Sequence, residues 1–366
     1  MTNPIRVAQV VGKMNGGGVE AVVMNYYRHI DRNKVQFDFL VDSDSTLVPH
    51  EEIESLGGRV FEIPPYQHVV EYQRELQRLF MREGWKIVHS HINALSIFPL
   101  RVAKKTGVPV RIAHSHSTSG KGEYAKNALK AVLKTQSNRY PTHRFACSKF
   151  AGEWLFGKGA DFEVVYNAID LDRFRFNAEA RAQARADLGL VGDQFAIGHV
   201  GRFTAQKNHA FLIDVFTEVA KRRDDAVLLL VGSGEAGASV KALVDERGLT
   251  DRVKFLGQRS DVSRLYQAFD AFVLPSLYEG LGLVGVEAQV SGLPCLLSDA
   301  ITREVDVTGE CKFLPIDSSA VWADEICGLK CASDDLRYSF DEYRLSEYDI
   351  NKQGAWLTEK YLSFTD

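Results

Sequence analysis

Short apolar runs alternate along this chain with segments whose apolar residues recur at helical spacing. The run at 5–12 is rich in β-branched residues and gives way to Lys13, Met14, Asn15 and three glycines, Gly16, Gly17 and Gly18. Val19, Glu20 and the spaced apolar positions of a helix follow as far as Tyr27, so the pattern predicts strand, flexible loop and helix. Further strands are predicted at 36–42, 59–63, 86–91, 110–114, 143–148 and 163–167. After an Ala- and Arg-rich helical stretch at 177–190 the pattern restarts, with strands at 195–201, 226–233, 253–257, 272–276 and 294–298. Alternation of this kind predicts parallel sheets covered by helices on both faces, and such sheets bind ligands at the carboxyl ends of their strands. The restart, in a chain of 366 residues, predicts two domains rather than one core.

The stretch 272–299 concentrates the chemistry. It reads as a buried strand, a turn broken by Gly280 and Gly282, a helix and another strand, with Glu279 in the turn and Glu287 in the helix. At 1.5 Å of rise per residue, eight residues hold the two carboxylates roughly 12 Å apart at most. Uncovered backbone N–H groups between them, at a helix N-terminus, favour an anion. The pattern therefore suits a ligand with a negatively charged middle and hydroxylated ends. In the loop after 195–201, Arg202 and Lys207 stand five residues apart, a forked donor and a point charge suited to pyrophosphate.

Two His-Ser-His triplets place His89 and His91, then His114 and His116, at the ends of two strands. Histidines at i and i+2 share a strand face, which raises a metal site, but no acidic or cysteine ligand stands at a telling spacing from them. Two Asp-x-Asp triplets, Asp42 with Asp44 and Asp170 with Asp172, raise a divalent ion on a nucleotide diphosphate, as in the GT-A class. Lys121, Lys126, Lys130, Lys134, Arg139 and Arg144 face the single acid Glu123, with Ala125, Leu129, Val132 and Leu133 near helical spacing. A helix of that composition lies on an anionic membrane surface or packs on a core with a solvated lysine face.

Composition narrows the classes. Hydrophobic residues make up 45% and charged residues 25%, and the formal charge of -4 gives no general attraction to nucleic acid. The cysteines, Cys147, Cys295, Cys311, Cys327 and Cys331, are odd in number and lack CxxC spacing, so a disulfide framework is not expected and a reducing cytoplasm is. The first apolar run is too short for a signal peptide, and no stretch approaches the ~18 apolar residues that span a bilayer.

Pro275, Ser276, Glu279, Gly280, Gly282, Glu287, Ala288, Gly292 and Pro294 together resemble the E-x7-E signature of retaining nucleotide-sugar glycosyltransferases of the GT-B fold, family 4. The resemblance spans about residues 5–360 and is densest from 195 to 300. It implies an α/β architecture of two Rossmann-like, doubly wound parallel-sheet domains facing across a cleft. The acceptor-side domain would be 1–170, the donor-binding domain 171–350, and the C-terminal helix 351–366 would pack back on the first. It further implies that Glu279 faces the transferred sugar and Glu287 holds the ribose. Arg202 and Lys207 would meet the donor phosphates, with Gly282 and Leu283 at the helix N-terminus. Gly17 and Gly18 would approach the donor phosphate and the acceptor. The backbone of Leu256, Gln258 and Arg259 would line the base. His116, or His114 two residues before it, would stand by the reacting sugar.

The implied reaction moves a sugar from a nucleoside diphosphate, UDP being favoured, to a saccharide or lipid-linked acceptor in exopolysaccharide, capsule or lipopolysaccharide assembly. Configuration would be retained without a bound metal, cofactor or protein nucleophile. Two alternatives share the fold: a sugar-nucleotide epimerase, and a non-catalytic partner subunit. A non-catalytic relative should have lost the donor-site charges, and all of them are present.

Overall fold

The computed structural model of the chain describes residues 3–116, 132–330, 337 and 345–365. It forms two compact units, 1–170 together with 347–366, and 171–346. Each is built on a fully parallel sheet. In the first unit the strands are β1 (Ile5–Gly12), β2 (Val35–Asp42), β3 (Arg59–Ile63), β4 (Ile87–Ser90), β5 (Val110–Ser115), β6 (His143–Ala146) and β7 (Glu163–Val164), in the order β3-β2-β1-β4-β5-β6-β7. In the second they are β8 (Phe195–Val200), β9 (Ala226–Val231), β10 (Val253–Gly257), β11 (Ala271–Leu274), β12 (Cys295–Ser298) and β13 (Lys312–Leu314), in the order β10-β9-β8-β11-β12-β13.

Both orders reverse direction beside the first strand of the unit, between β1 and β4 and between β8 and β11. Loops leaving the sheet at such a reversal diverge to opposite faces and open a crevice at the strands' carboxyl ends. Those loops carry Gly17 and Gly18 after β1, His91 after β4, Arg202 and Lys207 after β8, and Glu279 after β11. The central strands are buried at every position of β8, β9 and β11, which is why they read as unbroken apolar runs. β13 escapes that reading. It has three residues, opens on the exposed Lys312 and lies at the sheet edge.

The helix Ile350–Ser363 belongs to the first unit. Its Gly354 sits where an added Cβ would come within 2.7 Å of the His29 carbonyl, so the backbones touch there. Thr358 Oγ1 accepts a hydrogen bond from the Asp31 amide at 3.1 Å, and Lys34 pairs with Glu359 at 3.2 Å. Of the basic stretch, Lys121, Lys126 and Lys130 lie outside the described residues, as do Ala125 and Leu129. Lys134 stands 5.2 Å from the centre of the Trp154 ring, and Arg144 donates to Asn138 Oδ1 at 2.7 Å. Cys147, Cys295, Cys311 and Cys327 are free thiols, and Cys331 lies outside the described residues. Among those residues no helix is long and apolar enough to cross a membrane.

Candidate active site

In the second unit the loops after β8 and β9 are fitted to each other through glycine. Gly232 has φ +133°, and a Cβ there would sit 2.1 Å from the Gly201 carbonyl oxygen, so no other residue lets the two turns lie this close. A Cβ on Gly201 would itself stand 3.0 Å from Lys207 Cε. Lys207 thus folds across bare backbone and reaches the turn after β11, where its ammonium meets Glu279 Oε1 at 2.7 Å. Gln206 donates to the other carboxylate oxygen at 3.2 Å and to the Tyr278 carbonyl at 2.9 Å. Both partners of the ion pair are largely buried, with side-chain exposures of 14% and 10%. The sequence reading places Lys207 beside Arg202 as a second cation for phosphate. In the structure Lys207 is paired, while Arg202 is exposed and, among the described residues, no ion pair engages it.

Three residues past Glu279, Gly282 turns the chain at φ +87° and caps the helix Leu283–Val290. The first amides of that helix have no acceptor within it, and they open at the carboxyl end of the sheet. Glu287 lies one turn in, half-buried, with Tyr266 Oη 2.9 Å from its Oε2. Burial pushes its carboxyl up to about 7, against the opposing pull of the Tyr266 hydroxyl, Arg173 and Lys207. Tyr266 gives no signal in the sequence, since it reads as one more apolar position of the helix Val262–Ala268. Leu256, the last residue but one of β10, is half-buried. Gln258 and Arg259 beyond it are exposed, and Arg259 is held in a two-point pair with Asp261 at 2.6 and 2.7 Å.

In the first unit Glu20 reaches back to accept hydrogen bonds from the amides of Gly17 at 2.7 Å and Asn15 at 3.0 Å. Glu20 therefore shapes the glycine loop rather than facing outward. An added Cβ on Gly18 would meet nothing within 4 Å, so the protein's own packing does not demand glycine there. Of the first Asp-x-Asp triplet, Asp44 is paired with Lys13 at 2.6 Å. Burial and the Asp44 charge push the Asp42 carboxyl up to about 6, partly offset by Lys13. Among the described residues neither aspartate belongs to a group of three metal-capable side chains.

The four histidines come together at the ends of β4 and β5 and are all buried. His89 stacks on His91 at 4.1 Å between ring centres, and His114 on His116 at 3.9 Å. Hydrogen bonds join His89 Nε2 to His114 Nδ1 at 3.1 Å and His91 Nδ1 to His116 Nε2 at 2.9 Å. Gln9 from β1 and Tyr361 from the C-terminal helix close the system, and neither is singled out by spacing. The His116 amide donates to Asn93 Oδ1 at 2.6 Å, and Asn93 adopts the left-handed φ of +52° to reach it. Burial holds all four imidazoles below the ordinary range, His116 at about 3, so each ring is neutral. Ligand atoms of His89, His91 and His114 lie within 4.8 Å of one another, and both ring nitrogens of His89 and of His91 are already engaged in hydrogen bonds to protein groups.

Two doubly wound parallel sheets with these loops are the architecture of the GT-B glycosyltransferases. Over 98% of this chain and all of the other, the structure matches Anabaena HepE in complex with UDP and glucose, with a TM-score of 0.81 at 18% identity. Residues 16–173 match the family model Glycosyltransferase Family 4, and 180–314 match that of glycosyl transferases group 1. The chain is 39% identical over 341 residues to EpsF of Bacillus subtilis, a glycosyltransferase by name, covering 89% of this chain and 88% of that protein. To the UDP-Gal:alpha-D-GlcNAc-diphosphoundecaprenol alpha-1,3-galactosyltransferase of Escherichia coli it is 29% identical over 234 residues, 61% of this chain and 60% of that one. The chain belongs to glycosyltransferase family 4.

Proposed function

We propose that this glycosyltransferase moves a sugar from a UDP-sugar to a saccharide or lipid-linked acceptor in exopolysaccharide, capsule or lipopolysaccharide assembly, with retention of configuration and without a metal ion. The observation that carries the reading is the buried pair of Lys207 with Glu279 beside the N-terminus of the helix that holds Glu287. One small region then offers cations and amides to a diphosphate and carboxylates to hydroxyls on either side of it. Arg202, Lys207 and the amides at Gly282 and Leu283 would take the growing charge of the leaving diphosphate. The leaving phosphate would accept the acceptor's proton on the face it departs from. Glu279 would receive a sugar hydroxyl and remain neutralised by Lys207, Glu287 would receive the ribose, and the backbone at Leu256, Gln258 and Arg259 would line the base. Gly17 and Gly18 would bring backbone near the phosphates, and His116 would contact the reacting sugar. Names of the relatives support the UDP donor and the lipid-linked acceptor. A cytoplasmic location, with peripheral contact to anionic membrane through 121–144, completes the reading.

A thermal-shift panel of UDP-, GDP- and ADP-sugars in EDTA tests it. A donor at 100 times its Kd stabilises the fold by about 2.7 kcal/mol, so the UDP-sugars should raise Tm and the others should not. A rise confined to GDP- or ADP-sugars would reject the nucleotide, and a rise seen only with Mn2+ would reject the metal-free site.

A further inference from the structure

The hydrogen bonds among the four histidines can be followed proton by proton, because every ring is neutral and each bond holds one hydrogen. Gln9 Oε1 can only accept. It lies 2.8 Å from His91 Nε2, which therefore carries the proton, and His91 Nδ1 is bare. That bare nitrogen takes the proton of His116 Nε2 at 2.9 Å, leaving His116 Nδ1 with a free lone pair. On the other branch Gln9 Nε2 donates to Tyr361 Oη at 3.2 Å, and the Tyr361 hydroxyl donates to His89 Nδ1 at 2.6 Å. His89 then holds its proton on Nε2 and gives it to His114 Nδ1 at 3.1 Å, so His114 keeps a proton on Nε2. The two atoms left at the ends, His114 Nε2 and His116 Nδ1, are both buried and have no hydrogen-bond partner among the described residues. One is a donor, the other an acceptor, and their rings are stacked.

We propose that Gln9 and Tyr361 are positioning residues that fix all four histidines as Nε2–H tautomers, so that His116 Nδ1 and His114 Nε2–H present one acceptor and one donor to the hydroxyl groups of the bound sugar. Turning the Gln9 amide over would reverse every bond. All four rings would then be Nδ1–H, and the open donor and acceptor would change places. The amide of a residue on β1 thus sets the polarity of two atoms at the end of β5. A buried donor and a buried acceptor left unpaired are costly in the free protein, and a ligand hydroxyl that donates to one and an oxygen that accepts from the other satisfies both. The proposal rests on the reading that His116 faces the sugar.

Two-bond 1H–15N spectra of the full-length protein labelled in histidine give the tautomer of each ring directly. Assignment comes from single His→Gln variants. In the wild type all four rings should show a protonated Nε2 and a bare Nδ1. Tyr361→Phe should disturb His89 and His114 while His91 and His116 keep the wild-type pattern, a split by branch that general loosening of the core would not produce. Gln9→Met should disturb both branches and lower kcat at least tenfold, the low end for losing a group that orients a functional histidine, with donor KM within about threefold. A wild-type Nδ1–H at His114 or His116, or a Tyr361→Phe effect shared equally by both branches, would overturn the proposal. So would a folded Gln9→Met enzyme with unchanged kcat. If Gln9→Met does not fold, the spectra of the wild type and Tyr361→Phe decide alone. His116→Ala with unchanged kcat/KM would refute only the placement of the sugar, and the tautomer pattern would stand.

Discussion

Glu287 carries the sharpest consequence at the scale of single residues. Burial raises its carboxyl to about 7, above the ~4.3 of a free glutamate. The folded protein therefore holds that proton more tightly than the unfolded chain. The cost of ionising it in the fold appears as pH rises from about 4.3 and is complete above about 7. Ribose hydroxyls donate best to the ionised form. Affinity for a UDP-sugar, whose diphosphate does not titrate in this range, should then rise between pH 6 and 8. Glu287→Gln should flatten that rise and weaken binding about tenfold or more, the worth of a hydrogen bond to a charged group. Calorimetry at three pH values checks both, and a wild-type affinity that falls or stays level across the range contradicts the assignment. The sequence singles out Glu279, Glu287, Arg202 and Lys207, by their spacing and by the resemblance to family 4. It does not name their partners, because Lys207 and Glu279 are 72 positions apart and meet only through β8 lying beside β11. Nor does it decide between His114 and His116, which share a strand face and stack on each other.

Among elements, the strands were legible where the sheet is buried on both faces, since burial writes itself as an apolar run. Runs overshoot pairing for the same reason: His91 and Cys147 are buried just beyond β4 and β6. Short edge strands such as β13 leave no run at all. Nor does an apolar pattern foretell a buried charge. Asp38 lies wholly buried in the middle of β2 and takes hydrogen bonds from Arg6 Nε at 2.9 Å, Arg59 Nη2 at 2.6 Å and Trp85 Nε1 at 2.7 Å. Burial works against its charge, and those three donors more than offset it, holding the carboxyl below the ordinary range. Its stabilising contribution is present above the unfolded value near 4 and is lost as pH falls below that. Asp38→Ala should therefore lower stability at neutral pH by about 2–4 kcal/mol, somewhat under the 3–5 of a fully buried pair because both arginines reach water. The urea midpoint reads this directly. A variant as stable as the wild type at pH 7 would mean that the three donors are equally well satisfied by solvent.

For the whole molecule, the restart of the strand pattern near residue 195 announces two sheets, and the division of the chain falls between Asp170 and Leu171. The return of the last helix to the first unit is not written in its composition. It depends on small residues such as Gly354 at a close backbone approach and on Tyr361 completing a polar network from the far end of the chain. The central claim is that protein groups alone, in the second unit, meet the charge of a nucleotide sugar. Calorimetric titration of UDP into the wild type, Arg202→Ala, Glu287→Ala and Asp42→Asn, all in EDTA, measures it most directly. The account predicts that UDP binds the wild type and Asp42→Asn equally and that each of the other two variants loses about tenfold or more in affinity. Binding that requires Mn2+, disappears in Asp42→Asn and survives in Arg202→Ala and Glu287→Ala would contradict it.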